Sequence, residues 1–384
     1  MNQEIRVHVE EIAKHFENIE DPRSSVNRRH SLVTVLVLAV MGVLAGAKGP
    51  TGIATWAKSK EKWLSELFPL PYGVPSKDVF RRVLCALKPG VFESCFLEWV
   101  QELRAKAEEA SGEERPVLSV DGKTSRRSHD RSRGLKALHT VSVWAGELGL
   151  SLGQVATEEK SNEITAIPEV LRLVDLKGAI ITIDAMGAQK AIADQIVAGG
   201  GDYVFSLKGN QPKLRESVES HLREHAADRD GSVRRYTTYD KGHGREETRH
   251  YTQMRAPRDL PGFSEWKGLR SIGMVVSHTI RDGKETTETR YFVSSLPLGV
   301  KQFARAVRRH WGIENSCHWR LDVVYREDES RIRHVNLREN MAWLNRFTLS
   351  LLLQHPAKDS VAMKRMRCAW SGDFLLQVLT AQGT

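Results

Sequence analysis

The sequence predicts an α/β protein with parallel strands in its sheet, preceded by a helical region. Three observations lead there. Residues 1–110 carry apolar side chains at helical spacing almost throughout. From "PVLSVDG" (116–122) onward, strand-like and helix-like runs alternate, the pattern of a sheet with crossover helices. Between about 230 and 296 the chain is rich in Thr, Tyr and Val and reads as strands only.

In order, "EIRVHVEEIAKHFENI" (4–19) has helix-period spacing and "DPR" breaks it. "LVTVLVLAVMGVLAGA" (32–47) reads as a buried helix, ended by the "KGPTG" turn. "IATWAKSKEKWLSELF" and "SKDVFRRVLCAL" are amphipathic helices, with Ser76 placed as N-cap of the second. "FESCFLEWVQELRAKAEEA" completes the region, and "SGEERP" is a polar linker. "PVLSVDG" is expected to be a strand ending on Asp121, and "LHTVSVWAGELGLSLGQVAT" a hairpin. "NEITAIPEVLRLV" is a helix, "AIITID" a strand closed by Asp184, "AQKAIADQIVAGG" a helix and "DYVFSL" a strand. Four strands follow, the last two joined by a "RDGK" turn, before helices return at "GVKQFARAVRRHWGIENSCHW" and "NLRENMAWLNRFTLSLLLQ". This divides the chain into a helical part (1–111), a sheet-bearing part (112–354) with a β-rich insertion at about 230–296, and a tail (355–384).

The 384 residues carry a formal charge of +9, which suits a polyanionic partner such as nucleic acid. The four cysteines form no CxxC pair, which argues against a zinc ribbon or a disulfide framework. The sixteen apolar residues at 32–47 fall short of the roughly 20 that span a bilayer, so no membrane span is expected.

Asp121 and Asp184 both follow apolar strands, and ligands of α/β sheets bind beyond the carboxyl ends of strands. Two carboxylates meeting there repel unless a cation lies between them, and oxygen ligands select Mg²⁺ or Mn²⁺. A third carboxylate, Glu314, continues the helical stripe Phe303, Val307, Trp311, which predicts that it points toward the core. Two aspartates and a glutamate around two divalent ions suit phosphoryl transfer on a phosphodiester. Asp240 and Asp322 are weaker candidates for the same shell.

Basic residues cluster beside these acids. Lys123, Arg126 and Arg127 follow the first aspartate; His243, Arg245 and Arg249 lie in "KGHGREETR"; Arg308, Arg309 and His310 precede the glutamate. Lys208 and Asn210 of "LKGNQ" follow a strand. All are candidates for contact with a DNA backbone.

In order along the chain, "HFENIEDPR…RRHSLVTVLVLAVMGVLAGA", "VPSKDVFRRVL", "SVDGKTSRRS", "ITIDAMGAQ", "DYVFSLKGNQP", "GHGREETR" and "HWGIENSCHWRLDVVYRED" resemble the blocks of a DDE transposase of a bacterial insertion sequence, in the Rhs-associated H-repeat-like group. The resemblance implies an RNase H-like catalytic core with Asp121, Asp184 and Glu314 as its triad. It also implies Mg²⁺ or Mn²⁺, two ions, as cofactor. Cleavage at the element ends would free a 3′-hydroxyl that is joined to target DNA. The implied partners are double-stranded DNA and a second copy of the chain, in the bacterial cytoplasm and at the nucleoid. Related enzymes carry a Tyr-Arg-Glu-Lys signature whose other slots here hold Val307, His310 and Leu321, leaving Arg308, Arg309, His318 or Arg320 to substitute. A catalytically inactive DNA-binding remnant, or another RNase H-like metal nuclease, are the alternatives.

Overall fold

The computed structural model describes residues 13–26, 28–111, 115–157, 163–225, 228, 231–242 and 244–380. After a helical stretch at 13–17 come α1 (Leu32–Leu44), α2 (Pro50–Ser59), α3 (Glu61–Leu67), α4 (Lys77–Ala86) and α5 (Pro89–Ser111). Ser31 caps α1 by accepting the Thr34 N–H at 3.0 Å, and every residue of that helix but Val33 is buried. Among the described residues no helix is long and apolar enough to cross a membrane.

Nine strands form one mixed sheet: β1 (Val117–Ser125), β2 (Leu138–Ala145), β3 (Leu150–Thr157), β4 (Ile180–Ile183), β5 (Asp202–Leu207), β6 (Val233–Gly242), β7 (Arg245–Arg255), β8 (Ser271–Arg281) and β9 (Lys284–Ser294). Their order is β3-β2-β1-β4-β5-β9-β8-β7-β6. Strands β1, β4 and β5 are parallel neighbours, and the remaining pairs are antiparallel. The expected β-rich stretch is therefore an extension of the central sheet, joined to it where β9 pairs with β5 over Val204–Leu207. Asp282 and Gly283, at φ 51 and 74, form the two-residue turn between β8 and β9, since a tight hairpin of this kind needs positive φ at both positions.

Helices α6 (Glu163–Arg172), α7 (Lys190–Ala198) and α8 (Pro212–Glu224) connect the strands, and α9 (Val300–Gly312) crosses the sheet. Strand alternation sorts the two faces. Leu118, Val120, Ile181, Ile183 and Phe205 face the large core shared with the N-terminal helices. Val117, Ile180, Val204, Val275 and Phe292 face α9, whose Phe303, Ala304 and Val307 pack onto them. Gly273 makes that seating possible, because a Cβ there would lie 2.4 Å from the Phe303 ring.

Beyond α9 come a π-helical turn (Ile313–His318), the short α10 (Trp319–Val323) and the long α11 (Val335–Gln354). The rings of Phe96 and Trp99 on α5 lie 4.3 and 4.5 Å from that of Phe347, and Asn340 donates to the carbonyls of Leu84 and Leu87. The tail is largely helical over its described residues, 355–380. It forms α12 (Val361–Trp370) and α13 (Gly372–Leu379), with Arg365 buried and bonded to the Val43 carbonyl at the end of α1. The sequence signal was short, because each helix carries barely two turns of apolar spacing. All four cysteines are free thiols.

Candidate active site

The parallel pairing of β1 with β4 ends at Val120↔Ile183, so the next residues, Asp121 and Asp184, leave the ladder side by side. Asp121 does not end its strand: β1 continues to Ser125, paired antiparallel with β2. The sequence reading ended the strand on Asp121, whereas it runs on through Gly122, which serves a further purpose. A Cβ on it would lie 2.4 Å from Glu163 Oε1 and 2.6 Å from His139 Nε2, so the absence of a side chain admits this pair beside Asp121.

Alternation places Val117, Ser119 and Asp121, and likewise Ile180, Thr182 and Asp184, on the face covered by α9. Ser119 Oγ donates to the Arg309 carbonyl at 3.3 Å, and Thr182 Oγ1 lies 3.0 Å from His310 Nδ1. These contacts fix the C-terminal end of α9 directly over the two aspartates. His310 is half-buried, and desolvation pushes its pKa down to about 4, against the opposing pull of Asp184.

Glu314 sits where the backbone changes from α to π winding. The expectation that it points into the core is corrected: Ile313 and Cys317 take the buried positions, and Glu314 is exposed. The wide turn breaks the 3.6-residue stripe that the sequence reading extrapolated. Four residues on, His318 brings Nδ1 to 3.5 Å from Asp121 Oδ2. Burial, chiefly, with the cationic Arg346 and Lys123, pushes the His318 pKa down to about 3, so it stands there as a neutral ring.

Asp121 is pushed up to about 7, first by burial, then by the like charges of Asp184, Glu314 and Glu163; the Gly122 N–H pulls the other way. Asp184 Oδ1 accepts the N–H groups of Met186 (3.0 Å) and Gly187 (3.3 Å), so it also caps its own loop. Asn210 and Gln211 hold that loop from outside, by donating to the carbonyls of Ala185 and Ala188. Asn210 is thereby tied to the loop as well as being exposed.

The basic candidates separate into three groups. Arg126, Arg127, Lys208, Arg245 and Arg308 are exposed; Arg245 and Arg308 line the neighbouring groove, paired with Glu247 and Asp240, and Arg126 is paired with Asp328. That groove, about 730 Å³, runs between the β6–β9 face and α9, and its lining includes Arg281, Arg290, Arg308, Trp311 and Glu314. Arg309 is exposed but turned toward Glu147, at 3.1 Å. Lys123 and Arg249 are corrections, because both are buried with their charges already matched. Lys123 Nζ lies 2.6 Å from Asp322, 3.4 Å from Asp328 and 3.7 Å from Glu327, and Arg249 pairs with Asp240 and Glu247. Those pairings also occupy Asp240 and Asp322. His243 lies outside the described residues.

Sequence reasoning missed Glu163 and His139, whose Oε1 and Nε2 lie 2.8 Å apart, both buried. A histidine inside the apolar strand "LHTVSVWA" was the available signal, since a buried imidazole needs polar partners. It also missed Glu327 and the fully buried Arg346, 3.3 Å apart behind Lys123.

Among the described residues, one set of three ligand-type side chains has all its donor atoms within 4.8 Å of one another: His221, Glu224 and His225. Asp121, Asp184 and Glu314 stand wider than that. Their chemistry nevertheless fits a divalent cation: hard carboxylate oxygens, one of them with its pKa raised by burial and by the like charges of the other two, a repulsion that a bound cation would relieve.

Comparisons with known proteins identify the family. Residues 112–352 match the family model described as transposase DDE domain, and residues 13–100 match the one described as DDE_Tnp_1-associated. The chain is 36% identical over 383 residues to the H repeat-associated putative transposase YhhI of Escherichia coli, covering 98% of this chain and 99% of that one. It is 41% identical over 281 residues to an uncharacterized protein in the dhlA 3′ region of Xanthobacter autotrophicus, covering 73% and 92%. Superposed on the cryo-EM structure of a piggyBac transposase synaptic complex with hairpin DNA, it gives a TM-score of 0.39 at 11% identity, over 97% of this chain and 78% of the other. The family matches and the full-length relatives place the chain in the DDE transposase family, with the family's associated region ahead of its DDE domain.

Proposed function

We propose that this chain is an active transposase that cleaves DNA at insertion-sequence ends and joins the freed 3′-hydroxyl to target DNA. Asp121, Asp184 and Glu314 are its metal-holding triad. The observation that carries the reading is the register: Val120↔Ile183 is the last parallel pair, and the two aspartates follow it together beneath the helix end that leads to Glu314. The β3-β2-β1-β4-β5 portion of the sheet, antiparallel for three strands and parallel for the rest, supports an RNase H-like core, with β6–β9 as its insertion. The DDE domain would then span 112–354, behind a helical DNA-binding region at 1–111.

Mg²⁺, with Mn²⁺ as a substitute, would supply acidification of the attacking hydroxyl and neutralisation of the leaving oxygen. Two such ions sharing the three carboxylates are what the resemblance to the family implies. Asp184 presents Oδ2 to the site while its Oδ1 is held by backbone N–H groups. Asn210 keeps the Asp184 loop in place, and His318 holds Asp121 as a neutral neighbour. Exposed Arg126, Arg127, Lys208, Arg245 and Arg308 would neutralise phosphates of double-stranded DNA. Pairing of two element ends calls for two copies of the chain, working on the nucleoid in the cytoplasm.

The test is strand transfer on DNA carrying the element's own ends. Asp184→Ala should abolish Mg²⁺-dependent joining while binding to those ends persists. Unaltered joining would defeat the triad assignment. Wild-type protein that binds the ends yet never cuts with Mg²⁺ or Mn²⁺ would instead be an inactive remnant.

A further inference from the structure

The last turn of α8 and its C-cap residue carry His221, Glu224 and His225 in the spacing His-x-x-Glu-His. Residues four apart on a helix share a face, so both imidazoles and the intervening carboxylate present one edge, with donor atoms all within 4.8 Å. Two further details point to a bound cation. His225 Nδ1 lies 2.9 Å from the His221 carbonyl, so the ring donates there and turns the Nε2 lone pair outward. Metal-bound histidines commonly have their second nitrogen fixed by a backbone carbonyl in this way. Ser220 Oγ donates to Glu224 Oε1 at 2.8 Å, which steadies the carboxylate and leaves Oε2 available.

Beside this cluster, and outside the 4.8 Å set, stands a carboxylate of the loop between β7 and β8. Asp259 Oδ1 lies 3.4 Å from His221 Nε2. Ligands bound at about 2.0–2.1 Å in a tetrahedron stand about 3.3 Å apart. We propose that His221, Glu224 and His225, joined by Asp259, bind one Zn²⁺ that clips the end of α8 to the β7–β8 loop. Imidazole with carboxylate suits Zn²⁺ and disfavours Mg²⁺, which sets this site apart from the carboxylate triad. It is separate in space too. Helix α8 begins at Pro212, beside the residues that hold the Asp184 loop, and His221 comes nine residues later, about 13 Å along the axis. The buried face of α8, Leu214, Val218 and Leu222, stays against the sheet, so the clip adds to an existing seat and does not replace it.

The full-length protein, stripped with a chelator, is titrated with Zn²⁺ by calorimetry and with Co²⁺ by visible absorption. One Zn²⁺ per chain and the intense bands of tetrahedral Co²⁺ are expected. The double variant His221→Ala, His225→Ala should lose both, and Asp259→Ala should weaken binding and alter the Co²⁺ bands. Asp121→Asn with Asp184→Asn should leave them intact. Circular dichroism of each variant confirms that α8 is formed. The proposal is overturned if the wild type takes up no Zn²⁺, if the histidine variant binds it as the wild type does, or if uptake is lost with the aspartates.

Discussion

Replacing Gly273 by alanine tests whether the seating of α9 sets the geometry of the site. The new methyl carbon would stand 2.4 Å from Phe303 Cζ and 2.8 and 2.9 Å from the two Cε atoms. Carbon atoms rest at about 3.5 Å, so the ring must retreat by about 1 Å. It has nowhere to swing: Phe303 is buried and meets Phe292 and Tyr251 edge-on, with ring centres 5.5 and 6.5 Å away. The helix therefore lifts. Overpacking of this kind costs about 1–3 kcal/mol, offset by about 0.5–1 kcal/mol because alanine suits a strand better than glycine. A net loss of up to about 2.5 kcal/mol is expected in thermal or urea unfolding.

The functional effect is larger than the loss of stability. Helix α9 carries His310 and leads into Glu314, and a 1 Å misplacement of reacting groups costs on the order of 100-fold in rate. Strand transfer and unfolding are measured for Gly273→Ala, Phe303→Leu and the double variant. The smaller Leu side chain leaves room for the methyl group, so the double variant should recover, with a coupling of about 1 kcal/mol or more. Wild-type rate and stability in Gly273→Ala, or strictly additive losses in the double variant, would refute the reasoning.

Other expectations follow from the same coordinates. Lys123→Ala strands the buried Glu327 with Arg346 alone and should cost about 3–5 kcal/mol in unfolding, while the salt dependence of DNA binding stays unchanged. Asn210→Ala frees the Ala185 carbonyl and should slow strand transfer by about 10-fold or more with little change in end binding, read by kinetics and gel shift. His318 titrates near 3 when folded and near 6.5 when unfolded, so the unfolded chain takes up the proton first as pH falls. Its contribution to stability is thus complete above about 6.5 and declines as pH falls toward 3. Asp121, raised from 3.8 to about 7, acts with the opposite sign between those values, gaining stability as pH falls. Melting curves across pH 4–7 for wild type and His318→Asn should therefore diverge, the variant losing less on acidification; parallel curves would contradict the assignment.

Much of this was legible in the sequence, and the exceptions have physical causes. The apolar runs of "PVLSVDG" and "AIITID" already put each aspartate at the carboxyl end of a strand, but that the two strands are parallel neighbours shows only in the sheet register. Glu314 was misplaced because a π turn leaves no mark in hydrophobic spacing until Ile313 and Cys317 are seen to take the interior positions. Lys123 and Arg249 looked like phosphate contacts because their acidic partners are distant in sequence or read as surface, as with Asp322, Glu327 and Asp240. Glu163 and His139 belong to separate elements that meet only across Gly122.

The pairing of β9 with β5 has a mechanical consequence. Strands β6 to β9 are hydrogen-bonded into the same ladder as β1 and β4, so the groove wall and the two aspartates form a stiff plank with no hinge between them. The outer half of β9 (284–290) projects past the core as a cantilever, its side chains mostly open to solvent. A duplex laid along that arm cannot be accommodated by a swinging jaw. Under the proposed function, the curvature that brings a scissile phosphate to the aspartates would come from the DNA, and flexible base steps beside the cut would become part of what the protein recognises.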